Sequence, residues 1–258
     1  MRKKRVEPGS LWVVIPCFNE AKGLRATLDA LHAQGDRRFS LVVVDNASTD
    51  ATSDVVRAFA EEHPSLDLHL VHEPQKGTGA AADTGFRYAI EHGATHIART
   101  DGDCIPRPDW IENIKHAFGD GIEFLAGHIG HRTDDYELPL VDHVVLTALT
   151  ELMAAVSPYL SHNRGPEFRG PYVMAGGGNL ATTAELYLAS GGFPRIAIED
   201  DNDDRALQNR IRKLTDRIAK RRDVVVYQST RRVQHYGFRN TLLWYWNRKY
   251  RPVTVDIR

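Results

Sequence analysis

The first half of the chain alternates two periodicities. LWVVIP (residues 11–16) is a compact, largely β-branched run closed by Pro16. It is followed by leucines at 24, 28 and 31, the spacing of one helical face. The pair then repeats. SLVVVD ends at Asp45, and Ser48, Thr49 and Asp50 offer N-caps to a helix carrying Val55, Val56 and Phe59. LDLHLVHE precedes a helix over GTGAAADTGFRYAIEHG, and THIART precedes Asp101-Gly102-Asp103. Continuous apolar strands separated by helices predict a mostly parallel α/β sheet covered on both faces. Ligands of such sheets bind beyond the carboxyl ends of the strands. Asn19, Glu20, Asp45, Asn46, Lys76, Asp101 and Asp103 are thereby expected along one edge.

The second half is less regular and predicts a smaller mixed lobe. IEFLAG reads as a strand and residues 137–156 as a long helix. HNRGPEFRGP is rich in turn formers, and YVMAGGGNLATT reads as a strand running into a glycine loop. A helix through Leu186 and Leu188 leads to GGFP. The acidic run EDDNDD then opens a helix expected over 205–222, acids being favourable at a helix N-terminus. DVVVYQS is a late strand. With no repeat or linker in view, 1–258 is expected to form one domain in two lobes, over about 10–125 and about 126–258.

Bulk properties narrow the function. A formal net charge of −1 argues against a general nucleic-acid binder. Charge is uneven: residues 205–258 hold 15 Lys/Arg against 3 Asp/Glu. That segment reads either as a solvated face or as a surface for phosphates or anionic lipid. Cys17 and Cys104 form no CxxC pair, which disfavours zinc and dithiol chemistry. Two free thiols and an N-terminus without an apolar leader point to the cytoplasm. LPLVDHVVLTALTELMAAV is too polar and too short to span a bilayer.

Asp101-Gly102-Asp103 at a strand end suits a hard cation such as Mg²⁺ or Mn²⁺ that also takes phosphate oxygens. A polar loop is the alternative. Asp45 has the chemistry to accept hydrogen bonds from a nucleobase or ribose. QKGTGAAADTGF fits neither standard phosphate-loop pattern, yet it brings Lys76 and glycine amides to the same edge. Ala80–Ala82 read as close helix–sheet packing, and Trp110 as packing rather than sugar stacking. The glycines of GGGNL fit either a close approach to the donor or a tight turn.

Taken in order, VVIPCFNE, VVVDNASTD, KGTGAAADTGF, DGDCIPRPDW, GGGNLATTAELYLASGGFP and EDDNDD resemble the family 2 glycosyltransferases of the GT-A fold, over about residues 12–210. The resemblance implies a Rossmann-like sheet flanked by helices, a nucleotide-sugar-binding half over about 10–125 and an acceptor half over about 126–258, a UDP- or GDP-linked sugar donor, a divalent metal and inversion at the anomeric carbon. It implies nucleotide contacts from Pro16, Phe18, Glu20, Asp45, Lys76 and Gly77, and metal binding by Asp101 and Asp103. In related GT-A enzymes a late histidine can complete the metal site, which makes His235 a candidate ligand; a structural histidine is the alternative. The acidic segment permits two registers, with Asp201 the preferred base and Asp200 the second. QxxRW is absent, which favours single transfer over polymerisation. The acceptor is a glycan, a lipid-linked sugar or a small molecule. The basic aromatic tail, with Trp244 and Trp246, reads either as a peripheral contact at the inner membrane face or as a buried helix. A catalytically silent nucleotide-sugar-binding scaffold and a nucleotidyltransferase are the competing functions; the stretch CFNEAKGL lacks the Gly-rich basic segment that the latter normally carries.

Overall fold

The structure, a computed structural model, describes residues 10–135, 139–195, 203–237 and 240. β1 (Leu11–Cys17), β2 (Ser40–Asp45), β3 (Leu68–His72) and β4 (His96–Arg99) are parallel neighbours in the order β3-β2-β1-β4. Each connection carries a helix: α1 (Leu24–His32), α2 (Thr52–Glu62) and α3 (Thr78–Glu91). The sheet continues past β4 without a break. β7 (Leu180–Thr183) pairs antiparallel with β4 and with β6 (Phe124–His131). β8 (Ile218–Gln228) runs parallel to β6, and the short β5 (Cys104–Pro106) closes the edge antiparallel to β8. The expected mostly parallel α/β sheet with a mixed second half is what forms.

Period-two alternation explains the layers. Leu11, Val13 and Ile15 of β1 face a core shared with α1, α2 and α4 (Trp110–Gly119). Trp12 and Val14 face the opposite core, shared with α3, α6 (Ala184–Ala189) and α7 (Asp203–Arg212). α3 lies close because its sheet-facing side is small: Ala81, Ala82 and Gly85 are all buried. A Cβ at Gly85 would stand 2.4 Å from Val14 Cγ1 and 2.8 Å from Val44 Cγ2. Gly85→Val is therefore expected to destabilise by about 2–3 kcal/mol through overpacking, read as a lowered urea midpoint at unchanged slope.

Two boundaries differ from expectation. The helix expected over 205–222 ends at Arg212, and residues 218–222 belong to β8. Composition misled here, because IAKRR is basic yet alternates. Ile218 is buried opposite Phe124, and Thr215 turns the chain by donating its hydroxyl to Glu123 at 2.6 Å. The strand expected before the glycine loop instead follows it, at Leu180–Thr183. Gly176–Gly178 lie outside any strand, and Leu180 is the first residue to find a ladder, opposite Arg99 and Ala126.

The β6/β8 pairing has one irregularity. Gly127 faces Arg221, but His128 faces Val225. The Asn179 amide fills the jump, donating to the carbonyls of His128 at 2.8 Å and Val224 at 3.0 Å. Trp110, fully buried, donates its indole N–H to Asn179 Oδ1 at 2.9 Å. It is a packing residue, as expected.

Candidate active site

The loops after β1 and β2 are tied to each other. Asn19 and Ala47 hold positive φ, 54° and 57°. Such non-glycine conformations cost of order 1–3 kcal/mol each and persist where surrounding contacts enforce them. Here the Asn19 N–H donates to Ser48 Oγ at 3.0 Å, and Asn19 Oδ1 accepts from the Thr49 N–H at 2.8 Å. Asn46 adds the third loop. Its amide donates to the carbonyls of Glu73 (2.9 Å) and Gln75 (2.7 Å), and its Oδ1 accepts the Gly77 N–H at 2.9 Å. Gly77 has φ 142°, open to glycine and costly for other residues. This lacing brings the Lys76 ammonium 4.8 Å from the centre of the Phe18 ring, a cation–π distance. Phe18 and Lys76, far apart in sequence, form one wall.

Asp45 ends β2, with Oδ1 accepting the Ser48 N–H at 3.0 Å and Oδ2 accepting the Ser53 hydroxyl. Burial pushes its pKa up, but these hydrogen bonds hold it below the usual range. The carboxylate thus shapes the turn into α2. Pro16 is buried inside β1 opposite Val44.

Asp101-Gly102-Asp103 follows β4. A Cβ at Gly102 would lie 2.9 Å from Cys17 Sγ and 3.1 Å from Glu20 Cγ, so the turn presses against the β1 loop. Both cysteines are buried, and burial followed by the neighbouring acids pushes their thiols well up. They are neutral packing groups.

Each aspartate of the turn faces a guanidinium. Arg99 places Nε 3.3 Å and Nη2 3.2 Å from Asp101 Oδ1. Arg231, opening α8 (Arg231–Tyr236), places Nη2 3.4 Å from Asp103 Oδ2. The same guanidinium grips Glu20 with both amino groups, Nη1 to Oε2 at 2.7 Å and Nη2 to Oε1. Burial lifts the Glu20 carboxyl to about 7 against the pull of Arg231. Beyond Arg99 lie two more acids. Asp204 Oδ1 accepts from Arg99 Nη1 at 3.0 Å, and its Oδ2 accepts the Gly177 N–H at 2.7 Å. Burial first, and then Asp203, raise Asp204 to about 7. Asp203 Oδ2 is buried, accepts no hydrogen bond among the described residues, and lies 3.8 Å from Arg99 Nη1.

Among the described residues no group of three or more His, Cys, Asp or Glu side chains is arranged to hold a metal ion. The donor set still fits one. Mg²⁺ characteristically binds through one or two carboxylates and leaves its remaining positions to water and phosphate. Asp101 Oδ2 accepts no hydrogen bond among the described residues, and it lies 3.3 Å from where a Cβ on Gly178 would stand. One oxygen of the pair is thus open on the side of the glycine loop. His235 lies one turn after Arg231 in α8 and is exposed. Asp200 and Asp201 lie outside the described residues.

Sequence reasoning missed three contributors: Arg99, Asp204 and Arg231. Arg99 carried a readable signal, being an arginine inside an apolar strand two residues before an aspartate. A charge buried there requires a partner. Asp204 shows itself only once Leu207 and Ile211 are known to face the core and fix the rotation of α7. Arg231 pairs with Glu20 across 211 positions, which no local pattern reveals.

The three laced loops, the acid pair and the sheet order define the class: a GT-A fold. Mannosyltransferase PcManGT from Pyrobaculum calidifontis, solved in complex with GDP-Man and Mn²⁺, superposes with a TM-score of 0.63 at 24% identity, over 96% of this chain and 66% of that one. The family model for Glycosyl transferase family 2 matches residues 12–165, and the chain belongs to that family. Glycosyltransferase AglE of Haloferax volcanii is 31% identical over 120 residues, 45% of this chain and 38% of that protein. The undecaprenyl-phosphate mannosyltransferase of Micrococcus luteus is 33% identical over 105 residues, 40% of this chain and 42% of that protein. The matches thus span less than half the length of these two curated relatives.

Proposed function

We propose that this chain transfers a sugar from a UDP- or GDP-linked donor to an acceptor hydroxyl, with inversion and one transfer per encounter. The observation that carries this reading is the convergence of Asp101 and Asp103 with the Phe18–Lys76 wall, Glu20 and Asp45 at one sheet edge. In this reading Phe18, Lys76, Gly77, Asp45 and the Pro16–Glu20 segment hold the nucleoside. Asp103 and Asp101 hold Mg²⁺ or Mn²⁺, with His235 as a further ligand. A cation bound there supplies positive charge against the diphosphate leaving group. Asp201, or else Asp200, takes the proton from the acceptor hydroxyl as it attacks from the opposite face of the sugar, a role worth roughly 10²–10⁴-fold. GDP-Man and Mn²⁺ in the P. calidifontis enzyme support the donor class and the metal.

A lipid-linked acceptor at the inner membrane face is the acceptor reading we favour. The M. luteus relative carries a polyprenyl phosphate in its name. Among the described residues no helix is long and apolar enough to cross a membrane. α5 (Leu140–Val156), however, leaves Val141 at 71%, Val144 at 56% and Leu152 at 58% exposure, next to an exposed Tyr159. An apolar helix face with an aromatic residue at its end suits the interfacial zone of a bilayer. The basic aromatic tail is proposed to add to that contact. Trp244 and Trp246 lie outside the described residues.

The test is a thermal-shift series with UDP, GDP and their sugars, with and without Mn²⁺. A nucleotide at about a hundred times its Kd stabilises by about 2.7 kcal/mol. The expected result is a rise in Tm for one base series only, enlarged by Mn²⁺ and reversed by EDTA. Binding without turnover across a broad acceptor panel would instead identify a silent binding protein. No shift with any nucleotide would remove the proposal.

A further inference from the structure

We infer that Arg99 is a positioning residue that fixes Asp101 relative to the glycine loop and the acidic start of α7. The inference rests on the glycosyl-transfer reading above. Arg99 is the last residue of β4, and its side chain is 2% exposed. Its guanidinium spans 3.2 Å to Asp101, 3.0 Å to Asp204 and 3.8 Å to Asp203. Through Asp204 it reaches the Gly177 N–H, and a Cβ at Gly177 would stand 2.4 Å from Nη2. Three segments distant in sequence, 99–101, 177 and 203–204, therefore meet on one cation.

Stability alone does not account for this arrangement. Replacing a buried ion network by apolar residues of similar volume is often neutral or stabilising. The neighbouring core positions Val14, Ile97 and Ala98 show what the sheet uses where packing suffices. What the guanidinium adds is geometry: a planar fork whose donors fix several carboxylates at set angles. It engages Asp101 through Oδ1 alone, which keeps Oδ2 turned toward the glycine loop. It also sets the separation between that oxygen and the helix whose preceding residues include Asp200 and Asp201. Displacements of about 1 Å at a reacting centre cost on the order of 10²-fold in rate, so a rigid link between the donor end and the acidic helix has direct chemical value.

The test uses Arg99→Lys, which keeps the charge and loses the fork. Calorimetry with Mn²⁺ plus UDP or GDP is expected to show affinity lowered roughly tenfold, while uridine or guanosine binds as in the native protein. The double variant Arg99→Lys/Asp204→Asn is expected to be no weaker than Arg99→Lys alone, since both changes cut one link. A lowered Tm with native affinity for Mn²⁺ and diphosphate would reduce Arg99 to a structural residue and overturn the inference. Should Arg99→Lys fail to fold, Asp204→Asn alone is expected to show the same split between diphosphate and nucleoside at smaller size, and native-like affinity there overturns it equally. If the native protein itself binds no nucleoside diphosphate with Mn²⁺, the transfer reading fails first and the inference falls with it. Native binding that Arg99→Lys retains in full sinks the inference alone.

Discussion

Asp103→Asn is expected to lower transfer roughly 10³-fold, the scale of losing a charge-stabilising group at a reacting centre, while the protein stays folded. Asparagine keeps the shape of the side chain and removes its charge. The lost charge is the one a hard cation needs, because neutral amide oxygens are weak substitutes for a carboxylate. The fold should survive for electrostatic reasons. Asp103 shares Arg231 with Glu20, and Glu20 holds that guanidinium by two contacts of its own. Removing one acid from a corner that also contains Asp101 relieves repulsion and offsets the weakened pairing. The measurement is donor turnover across a Mn²⁺ titration, beside a thermal melt. Native turnover in the presence of EDTA would show that no metal acts through Asp103.

Trp110→Ala is expected to cost about 3–5 kcal/mol, the range for truncating a large buried aromatic. For a chain of this size that corresponds to a Tm lower by about 2–4 °C per kcal/mol. Two effects add. The indole leaves a void beneath the β5–β8 end of the sheet, and Asn179 Oδ1 loses its donor. A buried acceptor left unsatisfied costs about 1–3 kcal/mol on its own. Asn179 is also the residue that fills the β6/β8 register jump and follows Gly176–Gly178. The damage should therefore extend to donor binding. Trp110→Phe separates the parts: it keeps most of the volume, and its loss in urea denaturation should approach that of the hydrogen bond alone. Equal melts for the native and Ala proteins would show that the pocket under the sheet closes without the ring.

Legibility followed sequence distance. LWVVIP, SLVVVD and THIART announce themselves as buried parallel strands because both faces are covered, so consecutive apolar residues fill their centres, at 11–15, 41–44 and 97–98. The helices between them show their Leu24/Leu28/Leu31 and Val56/Phe59 stripes for the same reason. Asp101 and Asp103 were legible because chemistry and strand end coincide. Residues 218–222 were not, since five positions with three cations imitate a solvated helix until β6 is known to lie alongside. Asp204 and Arg231 were not, because their partners Gly177, Arg99, Glu20 and Asp103 are supplied by other segments. The strong shift of Asp204 toward neutral pH likewise follows from burial beside Asp203 and has no local signature.

The position of β7 has a consequence for anyone dissecting the gene. Residues 180–183 pair with 96–99 on one side and 124–126 on the other, so a late segment completes the border of the early half. A fragment ending near residue 125 would keep all four parallel strands and the whole Phe18–Lys76 wall. It would also present β4 as a raw edge with Ile97 and Ala98 uncovered, an invitation to intermolecular strand addition. The early half is legible as a unit, yet it is not a detachable one.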